Sequence, residues 1–238
     1  MKKREARIKG ILSALAACFA LATLGLLLGS GQTDRLAMAL VTVILVLLPR
    51  AMEKLLRCRI HPALYLFALA YGLGPMLGHC WYLYYTVPCW DKLLHISGGV
   101  MFAILGAFLF EALLGDRRKR TAVLLFALCF SIAVSVIWEF AEFGADMLFG
   151  MDTQDDTVIH SLRSYLLGDS LGMAGTISPI EAVSVNGQPL PVDGYIDIGL
   201  IDTMLDMLLE TLGAIVTCAI LWLDDGRHPL IQSILQTQ

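Results

Sequence analysis

Residues 121–149 read TAVLLFALCFSIAVSVIWEFAEFGADMLF. No charge interrupts the run before Glu139, and it is long enough to cross the roughly 30 Å hydrocarbon layer as a helix. Its polar residues are ordered. Ser131, Ser135, Glu139, Glu142 and Asp146 follow at steps of four, four, three and four, which puts them in one stripe on a helix. A carboxylate near the centre of a spanning helix costs roughly 2.5–3.5 kcal/mol on insertion scales. Acids on such a stripe must therefore face each other, water or a cation.

The rest of the chain repeats this composition. Of 238 residues, 57% are hydrophobic and only 16% charged, and the mean hydropathy is +0.71. A soluble domain carries more charge. Apolar runs cover about Ile8–Leu28, Leu36–Leu56, Ala63–Tyr85, Lys92–Leu114, Thr121–Phe149 and Ile198–Leu223. The second is the least clean, because Pro49 and Arg50 interrupt its inner end. The runs are continuous rather than alternating, which excludes the strands of a barrel. The expectation is an all-α polytopic membrane protein. It is a single domain over residues 1–238, a bundle of six transmembrane helices with one long extracytoplasmic loop at 150–196.

Charge sets the orientation. Of the 17 Lys and Arg, all but Arg35, Lys92 and Arg163 fall on one side of this six-span topology. They lie in the N-terminal tail (Lys2 to Lys9), between spans two and three (Arg50, Lys54, Arg57, Arg59), between four and five (Arg117 to Arg120) and at Arg227. The bias predicts cytoplasmic N- and C-termini and a basic inner face suited to anionic lipid headgroups. Leu15-Ala16-Ala17-Cys18 looks like a lipoprotein cleavage box, but the apolar run continues to Leu28, so the segment reads as the first span. Cys18, Cys129 and Cys218 read as small packing residues. Cys80 and Cys89 lie near the outer surface, where a disulfide is permitted, unless a stiff turn from Trp81 to Pro88 separates them.

The outer loop carries Asp152, Asp155, Asp156, Asp169, Glu181 and Asp193. Thr157–Leu167 suggests a short amphipathic helix. Ile180–Leu190 reads as a hairpin around Asn186-Gly187. A loop of this length suits a lid or binding loop, or a structured surface without chemistry.

Two further motifs join the stripe. Asp202, Asp206, Glu210, Gly213 and Thr217 repeat the four, four, three, four spacing on a span running the opposite way. If the stripes face each other, Asp146 lies level with Asp202, Glu142 with Asp206 and Glu139 with Glu210. Asp91 and His95 share a face at the start of the fourth span, and Ser97, Gly98 and Gly99 let a neighbour approach closely. Two carboxylates about 5 Å apart repel by roughly 3 kcal/mol at an effective dielectric near 20, and only Lys92 and His95 are near enough in sequence to compensate. Either some acids hold protons or a cation binds. Oxygen donors with one imidazole favour Mg²⁺, Mn²⁺ or Ca²⁺ over Zn²⁺.

The candidate metal ligands are Glu139, Glu142, Asp146, Asp202, Asp206 and Glu210. His95 and Asp91 are the candidate catalytic residues, with His95 as general base. His79 is placed to join them. His61 and His228 lie on the other side. Trp81, Tyr82, Tyr84, Tyr85 and Trp90 read as an interfacial aromatic belt. No phosphate loop, His-Glu-x-x-His helix or nucleophile elbow occurs, and nothing suggests nucleic acid. Three functions stay open: a metal-dependent membrane enzyme acting on envelope or lipid-linked substrates, a cation- or proton-coupled permease, and a structural protein with a polar helix lock. The shallow acids and the lack of a repeat argue mildly against transport.

Four motifs in order resemble the YjdF-like bacterial inner-membrane proteins. They are Asp91-Lys92-x-x-His95, Trp138-Glu139-x-x-Glu142-Phe143, the stretch from Gly150 to Thr157, and Asp202-Thr203-Met204-x-Asp206 leading to Thr211-Leu212-Gly213-Ala214. The first also resembles VanZ-like membrane proteins, which the other motifs fit less well. The YjdF-like resemblance implies six spans and a bacterial plasma membrane, with no established activity. It adds Asp152, Gln154 and Asp156 to the site residues, although the loop between Asp156 and Asp202 is longer here than in shorter relatives.

Overall fold

The computed structural model describes residues 2–32, 35–55, 59–114 and 120–224. Arg57, Arg117, Arg118, Lys119, Arg227 and His228, named above, lie outside the described residues. The fold is all-α, with 72% of the described residues helical. The helices are α1 (Lys2–Ser30), α2 (Leu36–Leu55), α3 (Pro62–Cys80), α4 (Leu83–Thr86), α5 (Trp90–Leu114), α6 (Arg120–Phe149) and α7 (Leu200–Leu223). All but α4 are long and apolar enough to cross a membrane.

The chain packs as two compact units, one of Met1–Trp138 with Asp206–Gln238, the other of Glu139–Leu205. In the first, α1 packs on α2 and α3, α2 on α3, and α3 on α5. Ala16, Val46, Leu64, Tyr65, Leu69 and Met101 form its main core. Ala20 and Ala39 are wholly buried, because small side chains bring helices together where lipid is as apolar as the protein. A second cluster joins Ala107 of α5, Ala127 of α6 and Leu221 of α7. Large apolar side chains such as Ile44, Leu125 and Ile220 face outward, as a bilayer solvent permits.

Local sequence explains the helix boundaries. α2 runs through Pro49 to Leu55, so this proline does not end it. α3 begins at Pro62, where a missing N–H costs nothing, and His61 Nδ1 accepts from the Ala63 N–H at 3.2 Å. α3 stops at Cys80, short of the expected Tyr85, because Tyr82 takes a left-handed conformation (φ 63°). This break lets the Tyr82 ring cover the Arg35 guanidinium at 4.3 Å. Trp81 stacks on Phe19 at 5.7 Å and its Nε1 donates to Thr23. Cys80 and Cys89 are not bridged to each other; the Cys80 thiol donates to the Arg35 carbonyl oxygen at 3.9 Å.

The second unit holds the long loop. In place of the expected helix over Thr157–Leu167 it has β1 (Val158–Ile159), β2 (Leu162–Ser164) and a 3₁₀ turn at Tyr165–Leu167. β1 pairs with β6 (Tyr195–Ile196), and β2 with β3 (Gly175–Ile177), both antiparallel. The loop thus pairs with its own distant residues, and β-branched Val158 and Ile159 suit a ladder better than a short isolated helix. The hairpin at Asn186-Gly187 is present, with β4 (Ser184–Val185) on β5 (Gln188–Pro189). Both turn residues have positive φ, 52° and 79°, as a two-residue hairpin turn requires.

Candidate functional site

α5 opens at Trp90, and Asp91 in its first turn lies at the positive end of the helix dipole. One turn on, His95 shares its face. Gly99 then meets the backbone of α7 directly: a Cβ added there would collide with the Glu210 carbonyl oxygen, and one at Gly213 with that of Ile96. These two glycines bring α5 and α7 close enough for short acidic side chains to meet.

Lys92 Nζ lies 2.9 Å from Asp91 Oδ2 and 2.8 Å from Asp206 Oδ1. The other oxygens of the same two carboxylates turn to the histidine. His95 Nε2 is 3.5 Å from Asp91 Oδ1 and 3.6 Å from Asp206 Oδ2, too long for hydrogen bonds. On the opposite edge of the ring, His95 Nδ1 is 3.9 Å from Glu210 Oε2. His95 Nδ1 and Glu210 Oε1 are buried without a hydrogen-bond partner. Asp206 and Glu210 are each 2% exposed and Lys92 is 32% exposed. Among the described residues, Lys92 thus pairs with two of these three carboxylates.

The second unit contains a different arrangement. Asp146, in the last turn of α6, accepts from the Thr153 N–H at 2.7 Å, the Thr153 hydroxyl at 2.6 Å and the Gln154 N–H at 3.0 Å. Thr153 is buried, and the Glu142 carbonyl oxygen also lies 3.0 Å from its hydroxyl. Asp202 accepts from the next amide, that of Asp155, at 3.1 Å. Asp146 and Asp202 therefore hold successive amides of one turn. Gln154 Nε2 donates to the Thr203 hydroxyl. Asp197 accepts from the Thr157 N–H at 2.8 Å and the Ile201 N–H at 2.7 Å, tying the loop's start to the first turn of α7.

The charges of this loop are tuned in opposite directions. Burial, and then the Asp146 charge, pushes the Asp152 carboxyl up from its ordinary 3.8. Burial and the charges of Asp152, Asp197 and Asp146 push Asp156 up as well. Burial also opposes ionisation of Asp197, but backbone N–H donors, Thr157 and Ile201 among them, outweigh it and hold the carboxyl below the usual range.

The family described as Predicted membrane protein (DUF2238) matches residues 11–226. The chain belongs to this family. The match takes in every motif of the YjdF-like resemblance, and the chain is an integral membrane protein whose six apolar helices need a lipid bilayer. No curated protein and no solved structure matches it.

Within this family member the expected site residues belong to both units. Asp91, His95, Asp206 and Glu210 meet in the first unit, and one donor atom each from Asp91, His95 and Asp206 lies within 4.8 Å of the others. Asp146, Gln154 and Asp202 organise the turn after α6, while Asp152 and Asp156 are exposed beside it. Glu139 and Glu142 are buried on the α6 stripe. His79 packs edge-on against Tyr84 at 4.8 Å. Residue spacing did not select Lys92, Thr153, Asp197 or Thr203 as site members. Lys92 is legible in the sequence as a counter-charge beside Asp91, but its contact with Asp206, 114 residues away, is not.

Proposed function

We propose that this is a multi-pass protein of a bacterial plasma membrane, with cytoplasmic termini, that binds a divalent cation between Asp91, His95 and Asp206. One observation carries this reading: both aspartates give one oxygen to Lys92 and aim the other at His95 Nε2. Donors held about 2.1–2.4 Å from a central ion stand roughly 3.0–3.9 Å from one another. The separations of 3.5 and 3.6 Å lie in that range. In this reading His95 Nε2 is a ligand rather than a base.

Lys92 keeps two of the carboxylate oxygens occupied, so the ion meets a defined three-atom face. An ion held there would supply Lewis acidity. The substrates this reading expects are envelope or lipid-linked molecules. A metal-dependent membrane enzyme is the activity that best uses these parts. A second reading rests on the same distances: a protonated His95 among three carboxylates, beside Lys92, makes a polar lock between α5 and α7 without any ion.

Melting the detergent-solubilised protein with Mg²⁺, Mn²⁺, Ca²⁺ and Zn²⁺ separates the two. The cation reading expects saturable stabilisation by at least one ion, absent in Asp206→Asn and His95→Gln. Identical melts with and without every ion, alongside a strong pH dependence, would establish the lock instead. Orientation is checked by labelling single cysteines introduced at Thr157 and Arg118, which must react from opposite faces.

A further inference from the structure

Away from the histidine group, the first unit carries a second charged assembly where α1, α2 and α3 meet. Lys9 is 4% exposed, although its position in the sequence suggests a solvated tail. Its Nζ lies 2.9 Å from Glu53 and 3.1 Å from Glu5, and it also donates to the Ile60 carbonyl oxygen. Arg50 shares Glu53 at 3.1 Å. The Tyr65 ring lies under Lys9, 5.3 Å from Nζ, and is itself fixed by a 2.6 Å hydrogen bond between its hydroxyl and Ser13.

Two cavities adjoin at Lys9. The first, about 180 Å³, is walled by Lys9, Arg50, Lys54, Arg59, Glu5 and Glu53. Glu5 and Glu53 are used up by Lys9 and Arg50, while Lys54 and Arg59 have no acidic partner among the described residues. The cavity therefore keeps a surplus of two positive charges. The second, about 310 Å³, shares Glu5 and Lys9 and is lined besides by Arg4, Ile8, Leu12, Pro62 and Tyr65. A cationic chamber beside a groove lined in part by Ile8, Leu12, Pro62 and Tyr65 has the polarity of an amphiphile with an anionic head.

We infer that this end of α1, α2 and α3 is a specific site for an anionic phospholipid, its phosphate held by Lys54 and Arg59 and one acyl chain lying along Ile8, Leu12 and Tyr65. The surplus charge selects a headgroup with no cation of its own, since a choline would meet Lys54 and Arg59 with like charge. The apolar part of the groove selects a lipid over a free anion. Arg59 immediately precedes the Ile60 carbonyl that Lys9 holds, so the headgroup contact is fastened to α1.

The experiment titrates delipidated full-length protein in neutral detergent with phosphatidylglycerol, phosphatidylcholine and inorganic phosphate, reading bound ligand by native mass spectrometry. Phosphatidylglycerol is expected to bind about twenty-five-fold more tightly than phosphatidylcholine, at about fivefold for each of the two basic residues. Lys54→Gln/Arg59→Gln should bring that ratio near one, and Arg163→Gln, in the distant loop, should leave it unchanged. Melting of each variant in phosphatidylcholine micelles shows that the fold survives. An unchanged preference in the double variant would overturn the proposal. So would inorganic phosphate binding as tightly as phosphatidylglycerol, which would mark a free-anion site.

Discussion

Asp91 and Asp206, from two helices far apart in sequence, turn one oxygen each to the same lysine and the other to the same imidazole nitrogen. This symmetry makes Lys92 the counter-charge of both acids. Lys92→Met leaves the buried Asp206 carboxylate without its ammonium, and a charge-assisted contact of this kind is worth about 2 kcal/mol. The variant should melt lower without added ions. Removing the like charge beside the proposed site should also tighten divalent-ion binding, so the ion-induced melting shift should saturate at a lower concentration than in wild type. A weaker ion response would mean that Lys92 supports the site rather than competing with a cation.

The closeness of α5 and α7 rests on Gly99 and Gly213. Gly99→Ala or Gly213→Ala drives a methyl group into the facing backbone, and forced overpacking costs typically 1–3 kcal/mol. Either variant should lower the melting temperature and abolish any ion response. Gly144→Ala serves as the control, since nothing lies within 4 Å of its added Cβ. Alanine suits a helix better than glycine by about 1 kcal/mol, so that variant should melt at or above wild type.

Asp146 holds the turn after α6 through three hydrogen bonds. Asp146→Ala should free the Thr153 and Gln154 amides. Hydrogen exchange at those two positions is expected to accelerate by one to two orders of magnitude, for a loss of about 1.5–3 kcal/mol at this charged acceptor. Exchange unchanged at both amides would show that the turn is held from elsewhere.

The loop should respond to pH with two opposed signs. Asp152 and Asp156 have carboxyls raised above 3.8. They favour the folded loop most at pH below the ordinary value, and that contribution is lost as pH rises through their raised values. Asp197 is lowered, so its contribution is present above the ordinary value and lost as pH falls through its own. Asp156→Asn should therefore flatten the loss of loop protection on going from acid toward neutral pH. Asp197→Ala should weaken the loop at neutral pH by about 0.5–1 kcal/mol, the low end for a solvent-screened helix cap. Hydrogen exchange across 157–201 between pH 3 and 7 reads both; the same profile in both variants would contradict the assignment.

Much of the fold was legible because its signals are local. An apolar run of about twenty residues predicts a span wherever it lies, and a four, four, three, four spacing predicts a stripe without reference to any partner. The loop was harder. Val158–Ile159 and Leu162–Ser164 pair with Tyr195–Ile196 and Gly175–Ile177, and a window of eleven residues contains neither partner. The end of α3 depended on one backbone conformation at Tyr82, which composition does not mark.

The sequence alone determined that six helices are apolar enough to span, that acids line α6 and α7, and that Asp91 and His95 share a face. These follow from composition and helical periodicity, both properties of a single segment. Tertiary structure alone decided that Lys92 reaches Asp206, that His95 stands between Asp91 and Glu210, and that Thr153 seats on Asp146. Periodicity defines the stripe on each helix but not that helix's rotation against its neighbour. Contacts such as Gly99 on Glu210 and Gly213 on Ile96 set that rotation, and with it which oxygen meets which nitrogen.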